Sequence, residues 1–524
     1  MVSMFLSDIR IATAEQMAHI DRASEAVFGV ASTVLMNNAG RAVADAVAQV
    51  SPRGMVVVLC GPGNNGGDGY CVARTLRGWG YDAVCFSDAH PEKYSAAANA
   101  ERQAWLLCGG TVQPLDALAD CLAPGALVVD ALFGTGLQRP IIGKCAQAIT
   151  LLNERACRVV AVDIPSGVSC DTGAVLGVAP RCELTVTMGL GKPGLYLRPG
   201  RAYAGNVRVA EVGFAAPLVE DERIGGRLLS DTLAADMWRM PLPDAHKGSR
   251  GCALVLGGSP EYFGAPLLAA EAVLRAGAGL CVWGCPEGMV SPRPWEHREL
   301  LLWPLSAPEG RLGLECWTEL EGGINNRRGG VSERILPRIG AICLGPGLGV
   351  HPDSAALVAK VVEAVDIPLV VDADALRQLP PINLGERAVL TPHLGEMAAL
   401  LGISVQEVEA DALGAARAAA QKYGATIVLK GVPSIIWQGE KYWISDRSVP
   451  VLAQGGTGDV LAGTITSLLA QGYDPASAAC LGVVIHAQAG NICAEQIGPQ
   501  GVLAGEVVAR IPRAFARLGD CVAR

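Results

Sequence analysis

The chain has 524 residues, half of them hydrophobic and only 18% charged, against roughly 25% charged in an average soluble domain. That apolar content excludes global disorder, and the length excludes a single domain when domains typically hold about 150 residues. A net charge of −9 argues against nucleic acid or an anionic membrane as partner but leaves room for a local phosphate pocket.

Short β-branched runs alternate with alanine-rich stretches, the pattern of parallel sheets covered by helices. In the first half the expected strands are 55–60, 82–86, 126–130, 158–162, 183–187 and 206–212, with helices over 70–80, 95–108 and 144–154. The polar stretch 218–226 is the expected boundary, giving a domain over 1–218, a linker over 219–228 and a second domain over 229–524. There the alternation restarts with strands 252–256, 279–283, 341–344, 368–371, 388–390 and 426–429 and a hairpin over 434–444. The 17 cysteines are scattered singly, with no Cys-x-x-Cys pair or zinc-ligand spacing, so reduced thiols in a cytoplasmic protein are expected. No basic-then-apolar leader opens the chain, and no uncharged apolar run reads as the roughly 18 residues of a spanning helix.

In open α/β sheets ligands bind beyond the carboxyl ends of the strands, so chemistry is sought there. Gly61-Pro62-Gly63-Asn64-Asn65-Gly66 follows a strand, and Asp88 lies about 20 residues on, the spelling of a dinucleotide loop. Its continuation, Asn65-Gly66-Gly67-Asp68-Gly69, reads as a dense polar turn that the dehydrogenase fingerprint does not explain. Asp130, Asp163 and Lys192 end or follow three later strands, each in a glycine-bearing turn. A strand-end aspartate is often a helix cap. Four such groups on one rim, Asp68 included, are what an active site requires.

In order and spacing, GPGNNGGDG, DALFGTGL, VDIPSGV and GLGKPG resemble the NAD(P)H-hydrate epimerase domain over about residues 10–215, a Rossmann-like three-layer fold. The resemblance implies that Asn64, Asn65, Gly66, Gly67 and Asp68, with Gly134, Thr135, Gly136, Leu137, Gln138, Arg139 and Pro140, hold the hydrated nicotinamide nucleotide. It implies a potassium ion on Asn65, Asp130 and Ser166, with Asp163 moving the proton and Lys192 as a second candidate.

The second half contains no Walker loop. It has Gln454-Gly455-Gly456-Thr457-Gly458-Asp459 running into an apolar helix. Backbone N–H groups at such a helix start form an anion hole, and Asp459 is placed to take the proton of an attacking hydroxyl. That turn resembles the ribokinase-like superfamily. With His246-Lys247-Gly248, Tyr262-Phe263-Gly264-Ala265-Pro266, Gly345-Pro346-Gly347, Val371-Asp372-Ala373-Asp374 and Thr391-Pro392-His393, the series resembles the ADP- or ATP-dependent NAD(P)H-hydrate dehydratase over about residues 229–520. The resemblance implies that Ala265, Gly347, His393 and Asp459 face the hydrate, and that Lys430, Gly431, Val432, Pro433, Ser434, Gly456 and Gly458 face the adenine nucleotide. One departure is visible: Val449-Pro450-Val451-Leu452-Ala453-Gln454 stands where relatives often carry Asn-Pro-Gly-Met. His486 reads as a core-helix residue.

Together these readings imply an α/β protein that repairs NADHX and NADPHX. One half interconverts the R and S hydrates. The other uses ADP, or ATP, with Mg²⁺ as an expected cofactor, to return the S form to NAD(P)H, and K⁺ is the cofactor expected in the first half. No nucleic-acid or membrane partner is expected, and the residues leave a homo-oligomer open. The rival readings are a ribokinase-like small-molecule kinase with an accessory nucleotide-binding domain, and a first half that senses nucleotides without catalysis.

Overall fold

The structure, a computed structural model, describes residues 9–289, 298–325, 338–445 and 447–522. They form two compact units, which among these residues meet at Arg227–Leu228.

In the first unit seven parallel strands lie in the order Val112–Gln113, Asp82–Phe86, Met55–Cys60, Leu127–Ala131, Arg158–Val162, Leu184–Met188, Asn206–Ala210. Their valine runs are buried on both faces because successive side chains alternate sides. Val56, Val58, Val129 and Val160 pack with Val43, Tyr70 and Trp105 of helices Ser32–Val50, Asn64–Gly78 and Ala96–Leu107. Val57, Leu59, Val128 and Val159 pack with Ile149 and Leu152 of helix Gly143–Glu154 on the other side. This is the expected three-layer arrangement. The stretch expected to be a linker is partly folded: Ile224 is buried against Met17 and Ile20, and Gly226 and Arg227 pair antiparallel with Ile11 and Arg10.

The second unit carries parallel strands in the order Thr426–Leu429, Ala388–Leu390, Leu369–Val371, Ala341–Leu344, Cys252–Leu256, Leu280–Pro286, Leu301–Leu305. The antiparallel hairpin Ser434–Gln438 and Lys441–Ser445 extends the first end. Ala253, Val255, Cys343 and Val370 pack against helices Gly264–Arg275, Thr457–Ala470 and Pro475–Gln496, while the alternate residues Leu254, Leu256, Ile342 and Leu344 are equally buried. Helix Pro475–Gln496 is long and apolar enough to cross a membrane, which the sequence reading did not register; 89% of its apolar window is buried inside the protein. Burial pushes the His486 imidazole on it down to about 4, in keeping with a core position. All 17 cysteines are free.

Both sheets reverse their winding once. The switch falls between Met55–Cys60 and Leu127–Ala131 in the first, and between Cys252–Leu256 and Ala341–Leu344 in the second. At such points the loops diverge and leave a crevice.

Candidate active sites

The first crevice is a cavity of about 840 Å³ walled by Asn64, Asn65, Asp68, Asp163 and the run from Gly134 to Arg139. Behind this wall, Gly61 and Gly66 exist for close contact. A Cβ on Gly61 would lie 1.9 Å from the Leu132 carbonyl oxygen, and one on Gly66 would lie 1.8 Å from that of Gly61. The expected polar turn is therefore corrected: Asn64 already opens helix Asn64–Gly78. Glycine is used there because the helix presses on loop backbone, which outweighs its poor helix propensity.

Asp163 follows its strand with φ 65°, a left-handed conformation that aspartate tolerates better than bulkier residues. Its Oδ1 accepts from Lys192 Nζ at 2.5 Å, the Met188 amide at 3.0 Å and Thr187 Oγ1 at 3.1 Å. Lys192 is fully buried and also donates to Thr187 Oγ1 and the Met188 carbonyl. It lies behind Asp163 and outside the cavity wall, as do Gly66, Gly67 and Pro140.

A second polar group lies on strand Leu127–Ala131. Asp130 is buried on its strand; it accepts from Ser166 Oγ at 2.6 Å and the Ser166 amide at 2.8 Å. Burial raises its carboxyl above the ordinary value, and the Ser166 bonds oppose that shift. Asn65 Nδ2 is buried without a partner. Asp88, which the dinucleotide spelling would put on a ribose, instead accepts from the Leu115 amide and faces Lys144.

The sequence reading missed two walls. Helix Ala14–Ala26, opened by the Thr13/Gln16 capping box, contributes Met17 and Asp21, and helix Ser32–Val50 contributes Leu35, Met36 and Ala39. Burial, then the charge of Asp163, raises the Asp21 carboxyl to about 6, while Lys192 and Arg22 oppose the shift. Burial followed by Asp163, Asp21 and Glu101 pushes Asp68 well above the carboxylate range.

In the second unit Asp459 stands in the first turn of helix Thr457–Ala470, after Gly456 at φ 90°. Thr457 Oγ1 ties the turn to the Leu452 and Gln454 carbonyls. Burial, and next the charge of Asp372, lift the Asp459 carboxyl to about 7 against the pull of Lys430. Lys430 Nζ donates to Asp372 Oδ1 at 2.8 Å and lies 3.8 Å from Glu396. Burial works against its ammonium, yet these carboxylates outweigh it and raise the lysine. A Cβ on Gly458 would sit 3.4 Å from Lys430 Nζ, and one on Gly347 would sit 2.3 Å from the Tyr262 carbonyl oxygen, just before Ala265. His393 caps helix Leu394–Leu401 through Nδ1, with its ring half exposed. In the departing segment Val449 and Leu452 fill the space against Gly490, where a Cβ would lie within 2.9 Å of both.

A family model described as NAD(P)H-hydrate dehydratase matches residues 253–513, and one described as YjeF-related protein N-terminus matches residues 32–194. Among curated proteins, the bifunctional NAD(P)H-hydrate repair enzyme of Moorella thermoacetica is 34% identical over 97% of both chains. The chain belongs to that family. The enzyme of the same name from Thermofilum pendens is 35% identical over 98% of this chain and 97% of its own, and that of Escherichia coli 33% over 95% and 93%. A solved ADP/ATP-dependent NAD(P)H-hydrate dehydratase from Bacillus subtilis, co-crystallised with ATP/Mg²⁺, is 27% identical with a TM-score of 0.47, covering 56% of this chain and 98% of its own.

This repair enzyme thus combines an NAD(P)H-hydrate epimerase with an NAD(P)H-hydrate dehydratase. The kinase and the non-catalytic sensor give way to that assignment.

Proposed function

We propose that the epimerase reaction runs in the cavity of the first unit, within residues 1–218, and the dehydration at Asp459, within residues 229–524. The observation that carries this reading is that Asp163 follows a strand onto the wall of the first cavity, while Asp459 opens helix Thr457–Ala470, which packs against strands Cys252–Leu256 and Ala341–Leu344 on either side of the second switch point.

In the first reaction the hydroxyl leaves the hydrated ring carbon and returns to the opposite face, with Asp163 as the proton acceptor for the incoming water. Lys192 holds the Asp163 carboxylate in place. Asn65, Asp130 and Ser166 fit a potassium ion: Asp130 is a buried carboxylate without a cationic side chain bonded to it, and the unpartnered Asn65 amide can turn its oxygen toward the same spot. The ion would supply fixed positive charge beside the nucleotide loop.

In the second reaction hydroxide is a poor leaving group. Asp459 takes the hydroxyl proton as the ring oxygen bonds to the terminal phosphorus of ADP and AMP departs. The C–O bond then breaks to release phosphate, and loss of the neighbouring ring proton restores NAD(P)H. Ala265, Gly347 and His393 border the hydrate, while Lys430 to Ser434, Gly456 and Gly458 border the nucleotide. Bound Mg²⁺ would neutralise charge on the phosphates. A general base is typically worth about 10²–10⁴-fold. The seventeen unpaired thiols support a cytoplasmic setting.

The test is incubation of mixed R and S hydrate, of NADH and of NADPH, with ADP or ATP. The reading expects full recovery of the reduced nicotinamide, one AMP and one phosphate per ADP, and faster turnover with ADP. A persistent phosphorylated nucleotide, or preference for ATP, would contradict it.

A further inference from the structure

We propose that Asp21 is the acid of the epimerase reaction, donating the proton with which the ring hydroxyl leaves as water. This rests on the reading of Asp163 as the base in the same cavity.

Exchange of a hydroxyl between two faces of a ring carbon needs two proton transfers. The departing oxygen must gain a proton as the C–O bond breaks, with the ring nitrogen supplying the electron pair for a C=N bond. The incoming water must lose a proton as its oxygen bonds to the other face. The two oxygens lie on opposite faces of the ring, and a carboxylate fixed on one side reaches only one of them, so a second group is required on the other. Three carboxylates meet in this cavity, Asp21, Asp68 and Asp163, each from a different element. Asp163 is engaged by the Lys192 ammonium, which suits the base.

Of the remaining two, Asp21 is the more accessible. It projects into the cavity from helix Ala14–Ala26, one turn beyond Met17 on the same wall, and is exposed to its solvent. Asp68 lies deeper, in the second turn of the glycine helix. An acid spent in every turnover must be reprotonated from water, which only the accessible group does readily. The charged groups around Asp21 are Asp163, Asp68, Lys192 and Arg22. Enclosure by the cavity walls and then the charge of Asp163 favour its neutral form over the opposition of Lys192 and Arg22.

The experiment follows R-to-S conversion by Asp21→Asn, Asp21→Glu and Asp68→Asn in the full chain, after subtracting spontaneous epimerisation, with urea unfolding of the first unit and dehydration of pure S hydrate as the folding controls for the two units. Asp21→Asn should lose at least about 10²-fold in kcat with KM for the hydrate little changed. Asp21→Glu should recover most of that loss. The wild-type rate should fall on the alkaline side as the acid ionises, and that limb should vanish in Asp21→Asn. Wild-type kcat in Asp21→Asn, an unchanged alkaline limb, or a limb removed by Asp68→Asn would overturn the assignment of Asp21. Loss of the first-unit transition or of dehydration in Asp21→Asn would mean misfolding; the wild-type limb and the Asp21→Glu rate then decide. If Asp163→Asn keeps full epimerisation while Asp21→Asn does not, the reading of Asp163 fails and the role of Asp21 stands.

Discussion

Both halves of this enzyme set an aspartate near a lysine, fully buried Lys192 in one and half-buried Lys430 in the other, and the lysine does different work in each. In the first unit Lys192 bonds directly to Asp163 at 2.5 Å. In the second Lys430 bonds to Asp372 at 2.8 Å and leaves Asp459 beside that pair. Bonding the lysine to the base fixes the orientation of the carboxylate. Bonding it to a neighbour leaves the base with a carboxyl at about 7, able to gain and lose a proton near neutral pH. On the proposed roles of Asp163 and Asp459, the two halves solve one problem, proton transfer at a hydrated ring, with opposite pairings.

The comparison breaks most sharply at the second site. Asp459→Asn should lower dehydration at least about 10²-fold while nucleotide binding, which rests on backbone N–H groups, changes little. Stopped-flow recovery of nicotinamide absorbance, with calorimetric titration of ADP, checks both. At the first site Lys192→Met removes the partner of a carboxylate that is 16% exposed. Breaking such a pair typically costs about 3–5 kcal/mol. Urea unfolding of the first unit should shift by that order, whereas Lys430→Met should leave the first-unit transition in place.

The pH profile sharpens the same contrast. Asp459 must be unprotonated to act as base, and its carboxyl is raised to about 7. Dehydration should therefore rise with pH through about 7 and lose close to tenfold for each unit below it. A flat profile between pH 5 and 8 would separate Asp459 from proton transfer. The smallest effect is expected at the cation site: Asn65→Ala should slow epimerisation more at low potassium than at high potassium, with dehydration unaffected.

Much of this was legible in the residues. Runs such as 56–59 and 159–162 are apolar at every position, as a strand in a sheet covered on both faces requires, and the strand-end carboxylates follow from them. Strand Leu301–Leu305 escaped notice because it contains Pro304, tolerated at the sheet edge it occupies. The glycine helix was misread as a turn because propensity is local, while the clash that demands Gly66 comes from Gly61, across the helix start. Asp21 was invisible for a different reason. It belongs to an ordinary amphipathic helix, and its role depends on Asp163, which the fold alone brings near.

The central claim is that two independent sites act in sequence on one substrate. Asp163→Ala, given mixed R and S hydrate with ADP, tests it most directly. The account predicts that recovery of NAD(P)H proceeds at the wild-type rate until the S fraction is consumed and then stalls at the pace of spontaneous epimerisation. Consumption of the R fraction at the wild-type rate would contradict it.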